Sequence, residues 1–164
     1  MATLPRVAPQ AMVHWRPLAA ADIAYVAVLE AHIHSAPWTA DNFREALAAG
    51  YSARVGEREG RIVAYGVLML APGEAQLLNL SVVPDARRGG LGQELLAQFL
   101  DDARRLGAEQ IFLEVRESNV PAIALYRRAG FDAVARRESY YPARTAETPR
   151  EDALVMRRSL LRHP

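Results

Sequence analysis

The sequence predicts a single domain of the α/β class. Segments with helical periodicity alternate with segments of strand periodicity along the 164 residues, which is the pattern of a layered α/β structure. No internal repeat is visible, and no linker is long enough to separate two domains. Hydrophobic residues make up 51% of the chain, enough to build a core at this length. We expect a flexible N-terminal extension over residues 1–11 and the domain over residues 12–160.

The first half of the chain is predicted to form a strand, two helices and three antiparallel strands. Ile23 and Val26 mark the apolar repeat of the first helix. Thr39 is placed to cap the second helix, and Gly50 follows its end. Pro84 ends the third of the consecutive strands. The predicted segments are residues 12–16, 19–34, 39–49, 51–56, 61–70 and 76–83, with a turn over residues 57–60.

The second half is predicted to alternate helix and strand. Leu91 and Phe99 lie on one apolar stripe of a helix, and Gly107 ends that helix. Ser118 or Asn119 caps the next helix, because a proline follows in its first turn. The predicted segments are a helix over residues 91–106, a strand over 111–115, a helix that ends before residue 130, and strand candidates over 131–137 and 153–157.

The composition excludes several kinds of chemistry. The 20 residues counted as lysine or arginine are all arginine, and the chain has no cysteine. Without lysine there can be no Schiff base and no phosphate-loop lysine of the Walker type. Without cysteine there is no cysteine nucleophile, disulfide or thiolate metal site. We expect no metal ion in the site.

Charge and hydropathy predict where the protein acts. The net charge is +1, so no global field attracts nucleic acid, although residues 121–164 carry nine arginines against five acidic residues. That basic end could meet phosphates, or it could be an ordinary solvated surface. No apolar run approaches the roughly 18 residues of a membrane span, and the N-terminus lacks a signal-peptide pattern. We expect a cytoplasmic monomer or weak dimer, with no membrane partner and no direct nucleic-acid readout.

The segment RRGGLG at residues 87–92 is the sharpest local motif. It lies between a predicted strand and an amphipathic helix, where glycines let the backbone approach a ligand and exposed N–H groups bind phosphate oxygens. The dinucleotide pattern would need glycine where Leu95 stands. The segment therefore predicts an anion site, and the alternative is a flexible loop.

Two further residues are candidate proton-transfer groups. Glu114 lies in an otherwise apolar strand, on the same face as Phe112 and Arg116. Burying a carboxylate there costs free energy unless it is paired, solvated by a cleft or used chemically. Glu114 is therefore either a proton acceptor or the partner of an arginine in an ion pair. Tyr126 lies on the following helix. Its hydroxyl could protonate a leaving thiolate, or it could be an ordinary core tyrosine.

Seven further short segments of the chain accompany these motifs. They are PW at residues 37–38, LEVR at 113–116, SN at 118–119, AIALY at 122–126, GF at 130–131, YYP at 140–142 and REDA at 150–153. The spacing Arg87-x-x-Gly90-x-Gly92 is similar to the acyl-CoA signature of the GNAT family of N-acetyltransferases. The wider set, over residues 14–156, resembles the ribosomal-protein alanine N-acetyltransferase (RimI) subfamily.

The resemblance implies a GNAT fold, an α/β fold whose mixed central sheet splays at an acetyl-CoA site and is flanked by helices. It implies that strand backbone binds the pantetheine arm and that the glycine loop binds the pyrophosphate. Glu114 matches the general base of the subfamily and Tyr126 its general acid. The cofactor-binding positions implied are Leu80, Ser81, Val82, Arg87, Arg88, Gly89, Gly90, Leu91, Gly92, Gln93 and Asn119.

The acceptor implied by the resemblance is the N-terminal alanine of a small-subunit ribosomal protein. Because cysteine is absent, direct transfer in a ternary complex is favoured over an acetyl-cysteine intermediate. Two alternatives remain open: an acetyltransferase for lysine or small-molecule amines, and a CoA-binding module that docks on the ribosome without catalysis. Candidate walls of the acceptor cleft are Trp38, Tyr140 and Tyr141, which could equally be packing residues, and candidate acids that attract a basic acceptor are Glu30, Asp41, Glu45 and Glu138.

Overall fold

The computed structural model describes residues 11–161. Apart from Ala11, the N-terminal extension predicted over residues 1–11 lies outside the described residues. Short 3-10 turns precede the first and third helices. The strands and helices are β1 His14–Pro17, α1 Ile23–Ile33, α2 Ala40–Ala48, β2 Ser52–Arg58, β3 Arg61–Ala71, β4 Glu74–Val82, α3 Leu91–Arg105, β5 Gln110–Arg116, α4 Val120–Arg128, β6 Asp132–Tyr141 and β7 Glu151–Ser159.

The seven strands form one sheet in the order β1-β2-β3-β4-β5-β7-β6. Only β4 and β5 run parallel among these neighbours, and they stay paired no further than Leu77 opposite Leu113. Beyond that point β4 continues along β3, whereas β5 continues along β7. The sheet is therefore mixed, and it opens between the C-terminal ends of β4 and β5.

A bulge in β4 marks the point where the sheet opens. Leu77 lies opposite one residue of β3, but the next residue pair involves Asn79, so Leu78 is an extra residue in β4. Close by in β3, a Cβ on Gly66 would come within 2.6 Å of the Asn79 carbonyl oxygen. Glycine at this position lets the two strands approach each other beside the bulge.

Helices cover both faces of the sheet and bury two apolar clusters. On one face α3 and α4 contribute Leu95, Phe99 and Tyr126. On the other face α1 and α2 contribute Val26 and Phe43. Between residues 11 and 161, no helix is long and apolar enough to cross a membrane. The packed faces leave the opening between β4 and β5 as the place where a ligand can reach the sheet.

Most elements begin and end near the predicted residues. Thr39 caps α2 by accepting the Asn42 N–H, and Asn119, rather than Ser118, caps α4. Several boundaries differ from the prediction: α1 begins at Ile23 rather than at residue 19, and β7 spans Glu151–Ser159 rather than residues 153–157. The strand β2 runs two residues further, so the turn before β3 shortens to Glu59 and Gly60, which both have positive φ. The strand β6 begins after Phe131, which is buried, and extends to residue 141.

Candidate active site

A cavity of about 580 Å³ lies where β4 and β5 separate. Its lining combines residues from both strands with the end of α1, the start of α4 and one residue of β6. This volume lies within the usual range for small-molecule and cofactor sites. Three arginines, Arg87, Arg116 and Arg144, face it together with the two acids Glu30 and Glu114. The arginines give the cavity charge that favours an anionic ligand.

The backbone of β4 offers hydrogen-bonding groups to the gap. Val83 donates its N–H to the Val63 carbonyl of β3 at 2.9 Å. Because bonded and non-bonded residues alternate along an antiparallel ladder, the backbone N–H groups of Val82 and Leu80 point away from β3. Arg87 already donates to the Val82 carbonyl at 3.2 Å. The N–H groups of Leu80 and Val82 are therefore directed to the side where β5 has diverged.

The glycine loop leads from β4 into α3, a helix of 15 residues. Gly90 occupies the N-cap position with φ of 80°, and it has no side chain to cap the helix. The first N–H groups of a helix have no intrahelical partners, so those that follow Gly90 remain free for an anion. Arg88 is exposed and has a positive φ of 67°. The loop thus presents unpaired helix N–H groups beside two arginines, and the anion site stays a prediction.

Asn119 lies at the opposite edge of the cavity, where α4 begins. Its side-chain oxygen accepts the Ala122 N–H at 3.3 Å, which caps the helix. The amide nitrogen of the same side chain is not used by the cap. Asn119 lines the cavity and can therefore donate a hydrogen bond to a ligand while it holds the helix start.

Glu114 lines the cavity from β5 and is also paired. Its side chain is 14% exposed, and Oε1 lies 3.0 Å from Nε of Arg137 on β6. The alternative of an ion pair is thus realised, with Arg137 rather than with Arg116. A hydrogen bond to Glu114, followed by burial, raises the pKa of Tyr140. Glu114 is therefore a fixed carboxylate with one edge towards the cavity.

Tyr126 projects from α4 and combines the two roles considered for it. The ring is buried and packs edge-on against Phe131, with 5.8 Å between the ring centroids. The same side chain lines the cavity. Burial raises the pKa of Tyr126, so the hydroxyl keeps its proton at neutral pH. A buried phenol that reaches the cavity can donate a proton to a departing anion.

The three aromatic residues predicted as cleft walls divide into two groups. Trp38 and Tyr141 line the cavity, whereas Tyr140 does not and is 42% exposed. Trp38 also packs on Phe43, and Arg116 lies 4.6 Å above the Tyr141 ring. Burial, helped by the charge of Glu114, raises the pKa of Tyr141 to about 12. Trp38 and Tyr141 therefore act both as packing residues and as walls of the cavity.

A buried polar cluster beside the cavity was not predicted from the sequence. Glu30, on α1, is only 2% exposed. Its carboxylate accepts hydrogen bonds from the Tyr65 hydroxyl at 2.7 Å, the Asn79 amide at 3.1 Å and the Trp38 N–H at 2.9 Å. Glu30, one of the candidate acids for attracting a basic acceptor, lines the cavity, but its carboxylate is buried and already holds these three donors. The available signal was a carboxylate on the apolar stripe of α1.

Two further side chains complete this cluster. The Ser81 hydroxyl donates to the Asn79 side-chain oxygen at 2.8 Å and lies 2.7 Å from Nε2 of His34. His34 follows α1 and lines the cavity. Ser81 therefore joins the cluster through its side chain, whereas its neighbours in β4 offer their backbone to the gap. We call Glu30, His34, Tyr65, Asn79 and Ser81 the Glu30 cluster.

Comparison with known proteins decides the family. The family model described as the acetyltransferase (GNAT) family matches residues 18–131. The chain belongs to the GNAT family of acetyltransferases. The prediction of a GNAT fold, with a mixed sheet that splays and helices on both faces, is confirmed, as is the prediction of an acetyltransferase.

Relatives of this GNAT chain include proteins of known structure. The ribosomal protein bS18-alanine N-acetyltransferase of Escherichia coli K12 is 35% identical over 128 residues, which are 78% of this chain and 84% of that protein. The crystal structure of the Escherichia coli ribosomal-protein-S18-alanine N-acetyltransferase matches with a TM-score of 0.84 at 32% identity, covering 93% of this chain and 97% of that one. The Salmonella typhimurium protein yncA, solved with its cofactor acetyl-CoA, matches with a TM-score of 0.76 at 21% identity, covering 92% and 95%.

Proposed function

We propose that this GNAT enzyme transfers the acetyl group of acetyl-CoA to the N-terminal alanine of a small-subunit ribosomal protein. The observation that carries the proposal is the cavity at the splayed strands, which has an anion site at one end and Glu114 and Tyr126 on its walls. The acceptor is supported by the 35% identical relative, whose name specifies the alanine of ribosomal protein bS18. Transfer occurs directly in a ternary complex, since the chain has no cysteine to carry the acetyl group.

The acetyl-CoA arm lies along the open edge of β4. The N–H groups of Leu80 and Val82 point into the gap and are the natural partners of the pantetheine amides and the thioester oxygen. The pyrophosphate binds the free N–H groups at the start of α3, with Arg87 close by. Asn119 donates from the start of α4. The remaining loop positions, Arg88, Gly89, Gly90, Leu91, Gly92 and Gln93, contribute through their backbone.

The chemical step needs a neutral amine and a protonated leaving group. An N-terminal amine has an ordinary pKa near 8, so a modest proton acceptor, Glu114 acting through water, suffices. The amine attacks the thioester carbonyl, whose oxygen is polarised by the Val82 N–H. The bond from carbon to sulfur then breaks, and Tyr126 gives its proton to the thiolate of CoA. The nitrogen gives up its second proton through water, which restores the Tyr126 hydroxyl. Trp38 and Tyr141 form walls for the acceptor peptide.

Mass spectrometry of acetylated peptides tests the function. Four peptides share one sequence and differ in the reacting amine: three begin with Ala, Ser or Met, and the fourth has a blocked N-terminus and one lysine. We expect the purified protein with acetyl-CoA to acetylate the alanine peptide fastest. Equal acetylation of the lysine peptide would overturn the N-terminal assignment in favour of a lysine or small-amine acetyltransferase. No transfer to any of the four peptides would favour the CoA-binding module.

A further inference from the structure

The hydrogen-bond directions within the Glu30 cluster determine the tautomer of His34. The Asn79 amide nitrogen donates to Glu30 at 3.1 Å, so its oxygen is the atom that faces Ser81. The Ser81 hydroxyl has one hydrogen and donates it to that oxygen at 2.8 Å. Ser81 must then accept from Nε2 of His34, which lies 2.7 Å away. The neutral imidazole therefore carries its hydrogen on Nε2.

The other ring nitrogen of His34 is left as a free base. With the hydrogen on Nε2, the Nδ1 atom has a lone pair, and no residue of the described chain is hydrogen-bonded to it. The His34 side chain is 39% exposed and lines the cavity. Its Nε2 also lies 3.3 Å from Glu30 Oε1, so a positive charge on the ring would be stabilised by a buried carboxylate.

His34 lies close to the reacting end of the open strand. Ser81, its hydrogen-bond partner, stands between Leu80 and Val82, whose N–H groups point into the gap. An amine that attacks a thioester held on those groups approaches within the same cavity. Glu114 faces this space from β5 but is already engaged by Arg137 at 3.0 Å. The Nδ1 atom of His34 is thus an unoccupied proton acceptor near the thioester position.

We propose that His34 is a further catalytic residue, which takes the first proton of the acceptor ammonium directly on Nδ1 while Glu30 stabilises the imidazolium, so that Glu114, acting through water, takes the second proton of the same nitrogen. The inference deepens the proposed acetyl transfer and rests on it. The ammonium loses one proton to His34, and its lone pair forms the new bond from nitrogen to carbon. The bond from carbon to sulfur breaks, and the thiolate takes the proton of Tyr126. The nitrogen gives up its second proton through water and Glu114, which restores the Tyr126 hydroxyl, and His34 returns its proton to water. Glu30 acts through His34 and is a positioning residue.

Burial, together with two nearby arginines, keeps the His34 ring neutral and ready to accept a proton. Burial lowers the pKa of His34, Glu30 on α1 opposes that shift, and Arg87 and Arg116 add to it. Arg87 approaches from the loop after β4 and Arg116 from β5. Further along the lining are Glu114, Tyr126, Tyr141 and Arg144, and Tyr65 of β3 reaches the ring only through Glu30. At neutral pH the ring is therefore an available base.

The decisive variant is His34→Gln, with His32→Gln as its matched control. Glutamine can still donate a hydrogen bond to Ser81 but has no basic nitrogen. His32 is exposed on α1, where its ring bonds the Val28 carbonyl at 2.8 Å. We expect His34→Gln to lower kcat/KM about 10²-fold at pH 7 and to remove the acidic limb of the pH profile. Its acetyl-CoA affinity and urea midpoint should match those of His32→Gln, which should retain full activity.

The comparison is made on whichever peptide amine the wild type acetylates fastest, so this test is separate from that of the acceptor. A preference for lysine would overturn the acceptor assignment and leave the His34 comparison intact. Equal kcat/KM and equal pH profiles for His34→Gln and the wild type would overturn the role of His34. A second measurement is the ¹⁵N–¹H spectrum of the wild type, in which the His34 signals are the ones that His34→Gln removes. They should show the Nε2–H tautomer at neutral pH, and an Nδ1–H tautomer of His34 would contradict the proposal.

Discussion

Two buried acids on opposite faces of the sheet are held in different ways. Asp102 on α3 and Glu30 on α1 are each 2% exposed. Asp102 receives two hydrogen bonds of 2.8 Å from the guanidinium of Arg54, one from Ser52 at 2.9 Å, and an ion pair with Arg105. Glu30 receives its hydrogen bonds from neutral groups, a phenol, an amide and a backbone N–H.

The difference separates a stabilising acid from a functional one. A fixed arginine offsets the free-energy cost of burying Asp102. The side chains that bind Asp102 lie on α3 and β2, away from the cavity lining. Glu30 has no fixed arginine among its hydrogen-bond partners, and the neighbour that can become cationic is His34. A buried carboxylate whose partner titrates and opens to a cavity is placed to serve proton transfer. The stabilising acid and the functional acid therefore lie on different faces of the sheet.

The largest expected effect is on catalysis, at the cavity walls. Glu114→Gln and Tyr126→Phe should each slow turnover about 10²-fold to 10⁴-fold, since each removes a proton-transfer group. Acetyl-CoA affinity and the free energy of unfolding should change little. Steady-state kinetics and calorimetric titration with acetyl-CoA measure the two quantities. Full activity in either variant would remove that residue from the mechanism.

The next effect is on stability, at Asp102. Asp102→Ala should lower the free energy of unfolding by about 3 kcal/mol, because it leaves the half-buried Arg54 unpaired. Urea unfolding measures the change. Asp101→Ala is the matched control: its carboxylate is 77% exposed beside Arg104, so its loss should be below about 1 kcal/mol. If the two variants unfold alike, Asp102 is not the stabilising acid described above.

A smaller effect, of a different kind, is expected at Glu30. Glu30→Gln removes the charge that supports a protonated His34, so kcat/KM should fall about tenfold, equivalent to about 1.4 kcal/mol. The pKa of His34, already lowered by burial, should fall further without the opposing charge of Glu30, which moves the acidic limb of the pH profile to lower pH. Glu109→Gln, exposed before β5 and outside the cavity lining, is the control. An unchanged pH profile would place Glu30 with Asp102 as a stabilising acid.

The smallest effect is the pH dependence of unfolding. The pKa of His34 is lower in the folded protein than the ordinary value near 6.5, so the unfolded chain binds more protons and stability falls as pH drops below about 6.5. Burial acts to raise the pKa of Asp102, but hydrogen bonds from Arg54 and Ser52 outweigh it and lower the pKa. The stability from Asp102 is therefore lost only below about pH 3.8, as pH falls through its lowered pKa.

Urea titrations from pH 7.5 to pH 3 separate these two windows. Because the His34 ring is partly exposed, its step should be below about 1 kcal/mol. His34→Gln should abolish the step near pH 6 and leave the one at lower pH. A wild-type protein that shows no loss of stability between pH 7 and pH 5 would contradict the burial of the ring.

Local signals in the sequence predicted most of the elements. Thr39 and Asn119 cap their helices because their side-chain oxygens reach N–H groups three residues on, a contact set by neighbouring residues. The conformation of the glycine loop was also indicated locally, since the left-handed conformation that Gly90 adopts, with φ of 80°, favours glycine. The turn before β3 was predicted two residues too long, because pairing with β3 extends β2 to Arg58.

By itself, the sequence determined the order of helices and strands, and its motifs indicated the GNAT family and candidate site residues. These depend on periodicity, caps and motifs, which lie close together along the chain. The bulge at Leu78 and the Glu30 cluster were decided by tertiary structure. Glu30 meets Tyr65 and Asn79 only after α1 packs on the sheet, across separations of 35 and 49 residues. The strength of a buried proton acceptor depends on what surrounds it, and only folding assembles those surroundings.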